Sequence, residues 1–114
     1  MRRLISVIGT VLFLALAQPS HARTWNGYQV GRILPPDSKD CVAFQLTGVN
    51  EADPVAPDIP WFAVPRSALG FKEIYALLLT AKASGIPITV ETTGVLAGSQ
   101  CHPFVGVWQI YTTD

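Results

Sequence analysis

The sequence predicts an all-β domain carrying one helix, with its elements in the order β-β-β-α-β-β. Three observations predict this. Short segments alternate apolar and polar residues with a period of two. One segment, "FKEIYALLLTAKASG", changes to apolar spacing at i, i+3 and i+4. Proline and glycine clusters separate these segments from one another.

The chain has 114 residues, enough for one domain. Its start reads as a secretory signal over residues 1–22, leaving a domain over residues 23–114. Arg2 and Arg3 supply the positive region, and residues 4–17 form an apolar run shorter than the roughly 20 residues a membrane anchor needs. "SHA" then places small residues at the positions a signal peptidase reads, so cleavage is expected after Ala22. The expected location is the periplasm or the exterior. Removing Arg2 and Arg3 leaves six basic residues against eight acidic ones, a net charge of about −2. No basic run remains, which argues against nucleic acid as a partner. Two cysteines, Cys41 and Cys101, lie in the exported part. An even pair outside the cytosol predicts a disulfide. Closing a loop of about 60 residues contributes roughly 3–4 kcal/mol in the chain-entropy model.

The first strand is expected over residues 25–34, "WNGYQVGRIL", and is ended by "PPDSKD". Residues 40–49, "DCVAFQLTGV", form a stronger one, with Val42, Phe44 and Leu46 on one face. These two segments should pair as a hairpin. "NEADPVAPDIP" is an acidic, proline-rich loop, because proline removes ladder donors and fixes φ. "WFAV" is a short third strand, stopped by Pro65. In the helix, Phe71, Ile74, Tyr75, Leu78 and Ala81 share one face. Ser67 is the expected N-cap and Gly85 the left-handed C-cap. Leu77 and Leu79 widen the apolar arc beyond one stripe. That arc is covered either by this chain's own loops or by a second copy, which makes Leu77 and Leu79 candidate oligomer-interface residues. "IPITVET" and "FVGVWQIYT" complete the strands, joined by a glycine-containing loop. Five short strands with a helix between the third and fourth is the order of a small five-stranded OB-fold-like barrel.

One segment, "IYALLLTAKASGIPITVETTG", followed by Cys101 and "GVWQIY", resembles the C-terminal half of bacterial AB5 toxin B subunits, the Shiga toxin B family in particular. "DCVAFQL" is similar to the Cys-bearing strand of subtilase-cytotoxin-type B subunits. The resemblance spans roughly residues 61–111. It implies a pentameric ring with helices lining a pore, strand pairing between neighbours, an enzymatic A subunit as partner, and cell-surface glycan as ligand. Cys41 and Cys101 are the residues that carry over. No sugar-binding residue does, since Phe71 and Lys72 stand where that family places a Trp.

Catalytic chemistry is not expected. The exported part keeps one histidine, His102, beside a cysteine expected to be oxidised. One His and scattered carboxylates do not make a metal site, and no cofactor motif is present. Asp53 and Asp58 could pair only as acids of a loop expected to be solvated. Sugar binding needs an aromatic platform flanked by hydrogen-bonding groups. Trp25, Tyr28, Trp61, Trp108 and Tyr111 are the candidates. Trp108 alternates with Gly106 and Ile110, which predicts core or interface. Trp61 is either core or, with Arg66, part of a ligand-facing rim. The expected function is a non-catalytic, glycan-binding B subunit of an AB5-type toxin. The alternative is a stand-alone exported OB-fold protein that binds a protein or small ligand.

Overall fold

A computed structural model describes residues 22–113 except Ser38. The expected leader, apart from Ala22, lies outside the described residues. The domain is mostly sheet with a single helix: β1 (Thr24–Tyr28), β2 (Val30–Leu34), β3 (Cys41–Leu46), β4 (Phe62–Pro65), α1 (Phe71–Ser84), β5 (Ile88–Leu96) and β6 (Val105–Thr112). A 3-10 turn, Ser99–Cys101, precedes β6.

The expected five strands are six, and the element order is β-β-β-β-α-β-β. The extra strand comes from the first predicted segment, which divides at Gln29. Gly27, at φ 78°, takes a conformation that a β-branched residue would resist, and the pairing register shifts between Trp25 and Tyr28. The sheet runs β1-β5-β6-β4-β3-β2. β4 and β6 pair in parallel; every other neighbouring pair is antiparallel. The two edge strands are consecutive in the chain and one residue apart. The expected hairpin of the early segments forms between β2 and β3, where Val30 faces Leu46.

Inward side chains of β3 and β4 build the core. Phe44 and Phe62 stack with ring centres 5.1 Å apart, and Val42 stands opposite Val64. Val90, Val105 and Leu78 complete it. The helix lies against this core with the face its spacing predicts. Phe71, Leu78 and Ala81 are buried, and Ile74 and Tyr75 pack beside them. Gly85 ends the helix at φ 68°, its N–H reaching the Ala81 carbonyl. The N-cap is Gly70, not Ser67, and no side chain caps it. A tight turn through Pro65 and Ala68 carries the chain into the helix, which leaves Ser67 one turn too early.

The acidic loop is ordered by its own hydrogen bonds. Ala52 N–H donates to the Ile59 carbonyl at 2.9 Å, and Asp58 N–H donates to Glu51 at 3.1 Å. Val49, Ala52 and Ala56 are buried, so the loop closes one end of the core. The Trp25 indole N–H donates to the Ala52 carbonyl at 2.8 Å and ties that closure to β1. Asp53, expected to be solvated, is fully buried.

Candidate functional site

Trp108 sits at an irregularity in the β5–β6 ribbon. Glu91 pairs with Gln109, but its neighbour Thr92 pairs with Val107, so Trp108 is the extra residue of a bulge. A bulge re-aims a side chain and shifts the alternation by one. Val107 and Ile110 therefore both face the core, and Trp108 projects outward, 68% exposed. On the facing strand a second irregularity lies between Thr92 and Leu96. There Gly94 has φ 82°, and the Thr93 hydroxyl holds the bend by accepting the Val95 N–H at 3.2 Å.

These features bound a shallow pocket of about 330 Å³, lined by Arg23, Thr24, Glu91, Thr93 and Trp108 among others. Its chemistry is mixed: the Trp108 indole, the Glu91 carboxylate and the hydroxyls of Thr24, Thr92 and Thr93, with Arg23 along one wall. Glu91 is oriented by the Tyr111 hydroxyl, which donates to its carboxylate at 2.9 Å. That bond raises the Tyr111 pKa above its usual value, because the phenol proton is held by Glu91. The Arg23 guanidinium lies over the Trp25 ring at 5.3 Å, which orients it at the strand start. An amphipathic aromatic shelf with flanking hydrogen-bonding groups suits a ligand with one apolar and several polar faces.

The sequence-predicted rim pair has separate partners. Trp61 is half-buried, its ring tilted against Phe104 at 5.9 Å. Arg66 is exposed and ion-paired with Asp40 at 2.7 Å, and it also donates to the Pro36 carbonyl. A second pocket, of about 500 Å³, lies beside Arg66, Phe71 and Tyr75, and Trp61 is not among its walls. On the helix, Leu77 is half-buried and Leu79 is 47% exposed.

Cys41 and Cys101 are free thiols buried in one small cluster with Ala63. β3 supplies Cys41, and the 3-10 turn brings Cys101 over it. Burial, and next the hydrogen bond to Cys41, push the Cys101 thiol up to about 12. His102 is exposed, and its carbonyl accepts the Lys39 ammonium at 3.2 Å. Among the described residues no three His, Cys, Asp or Glu side chains gather as metal ligands.

Sequence reasoning offered core or interface for Trp108; the core reading fails because it assumed unbroken alternation. The available signal was "VGVWQIY", where Val107 and Ile110 stand three apart on a strand of period two. A comparison with protein-family models and with curated proteins finds no match for the chain.

Proposed function

We propose that this chain is an exported, non-catalytic binding subunit whose ligand face is the Trp108 shelf. The observation that carries the proposal is the bulge, which lifts a large aromatic out of the sheet beside Glu91, Thr93 and Arg23. A bare tryptophan costs a small domain solubility, and bulges recur where a side chain is re-aimed for function. The favoured ligand class is cell-surface glycan: a pyranose stacks its apolar face on an indole and offers hydroxyls to the surrounding polar groups. Trp61 and Arg66, with their separate partners, are set aside for this site.

The fold proposed beneath this function is an OB-type barrel. Its support is that edge strands β1 and β2 are consecutive, so together they act as one bent strand joining both sides of the sheet. The parallel β4–β6 pair and the helix between β4 and β5 agree with it. On this reading the chain resembles an AB5 B subunit. It would assemble as a homo-oligomer through the Leu77 and Leu79 arc, with Cys41 and Cys101, free thiols in the structure, oxidised to a disulfide after export, and an enzymatic A subunit as partner.

Titration of the oxidised protein against a glycan array, followed by tryptophan fluorescence on the strongest hits, tests the ligand. Binding that is lost in Trp108→Ala and kept in Trp61→Ala is the expected result. Silence on every glycan, in a protein of native mass, defeats the glycan reading. The alternative, a stand-alone module for a protein or small ligand, is favoured by a monomeric native mass in light scattering. The exposed Leu79 predicts instead an oligomer that Leu79→Asp reduces to monomer.

A further inference from the structure

Asp53 is wholly buried, and no Lys, Arg or His pairs with it among the described residues. Its Oδ1 accepts the Val55 N–H at 2.9 Å, and its Oδ2 accepts the Thr92 hydroxyl at 2.6 Å. Both donors are neutral. A carboxylate buried among neutral donors lacks a countercharge, and that is costly.

The Thr92 hydroxyl has one proton, committed to Asp53, and lone pairs to spare. It accepts the main-chain N–H of Arg23 at 2.8 Å. The Thr92 N–H in turn donates to the Arg23 carbonyl at 2.9 Å, which fixes the register. The Arg23 nitrogen is thus one hydroxyl away from the buried carboxylate. It is also the atom that leader cleavage after Ala22 would change. Hydrolysis of the Ala22–Arg23 amide by a signal peptidase consumes one water. The oxygen goes to Ala22, which leaves as a carboxylate, and the protons go to the Arg23 nitrogen, which becomes an α-ammonium.

We propose that processing supplies the missing countercharge. The new α-ammonium of Arg23 stays seated on Thr92 and acts on Asp53 through that hydroxyl, so maturation stabilises the domain and fixes one wall of the Trp108 pocket. This rests on the reading of residues 1–22 as a cleaved leader. Free α-amino groups titrate near 7.7–8.0, so the group is largely charged at neutral pH. Glu91 lines the same pocket and favours the charge; the Arg23 guanidinium at the strand start opposes it. The seat also gives the acidic loop a purpose that its sequence hides, since it carries Asp53 to the chain start.

The test compares the chain beginning at Arg23 with the same chain acetylated at that nitrogen. Acetylation keeps one N–H donor for Thr92, as the uncleaved amide does, and removes the charge. The acetylated chain is expected to melt about 4–8 °C lower. In Asp53→Asn the difference between the two forms should vanish. If Asp53→Asn does not fold, Thr92→Ser should keep the difference and Thr92→Val should abolish it. Equal melting of the free and acetylated wild-type chains overturns the seat. Mass spectrometry of the exported protein checks the leader separately. A first residue other than Arg23 overturns the processing step, whatever the melting data say of the free amine.

Discussion

The outer surface of one sheet is treated in two opposite ways. Over β3 and β4 the outward residues are small: Cys41, Ala43 and Ala63 are all buried. Small side chains let the segment carrying Ala97, Cys101 and Phe104 close down on them and form a second apolar cluster. Over β5 and β6 the outward residues include Glu91, Thr93, Trp108 and Tyr111, and among the described residues no segment covers Trp108 or Tyr111, which is 43% exposed. Where the sheet is covered, size was kept down so that backbone could approach. Where it is open, large amphipathic side chains stand in water. The first arrangement stabilises the fold, and the second leaves uncovered the surface on which the proposed ligand would rest.

The largest effect is expected on the covered face. If Cys41 and Cys101 are joined, Cys101→Ala in the oxidised protein should cost about 3–4 kcal/mol in denaturant unfolding. Equal stability of oxidised and reduced protein would remove the bond from the account. The reduced form adds a pH signature. The Cys101 thiol is raised from 9.0 to about 12 in the folded state, so the unfolded thiol ionises first. Its contribution is complete below about 9 and is lost as pH rises through about 12. Tyr111, also raised, acts in the same direction in both redox forms. The difference between reduced and oxidised stability should therefore widen with alkaline pH, and a constant difference would place the thiol elsewhere.

Next in size are the contacts that hold the cover down. Phe104→Ala should cost about 1–3 kcal/mol, since the ring lies on the cysteine cluster and against Trp61. Gly106→Ala probes the seam between the two faces. A Cβ there would stand 3.0 Å from the Thr93 Oγ1 and 3.4 Å from the Ala97 Cα. Thr93 is tied to the bend by its hydrogen bonds with Val95, so swinging aside would break them. A loss of about 1–2 kcal/mol, read by thermal unfolding, is expected. No loss would mean that the β5 irregularity is loose and the pocket wall beside Trp108 is unfixed.

What the sequence made legible follows from periodicity. The inward helix face from Phe71 to Ala81 and the Val42, Phe44 and Leu46 face of β3 are local patterns, set by 3.6 and by 2 residues per repeat. The helix stop at Gly85 was legible for the same reason, because a left-handed cap needs glycine. What escaped was produced by breaks in period or by distance. The irregularity between Trp25 and Tyr28 and the bulge at Trp108 each shift the alternation by one residue, and an alternation count passes over both. Asp53 became a core residue through Thr92, 39 positions away, which no window in its own loop contains. The cover over β4 had a faint signal. In "WFAV" the outward position between Phe62 and Val64 is alanine, a size that suits close packing on that side.

The smallest effect on stability is expected from the largest exposed side chain. Trp108→Ala removes an indole that is 68% exposed at a bulge, so unfolding should change by no more than about 0.5 kcal/mol. The same substitution should abolish ligand binding, because the shelf loses the ring on which an apolar face would lie. That dissociation between stability and binding is what separates the two faces: Phe104→Ala should show the reverse, weakened folding with binding kept per folded molecule. If Trp108→Ala proves as destabilising as Phe104→Ala, the indole is buried by something in solution. Light scattering would then decide between the candidates. A second copy seated on β6 makes the loss concentration-dependent, and a monomer makes it intrinsic to the β5–β6 ribbon.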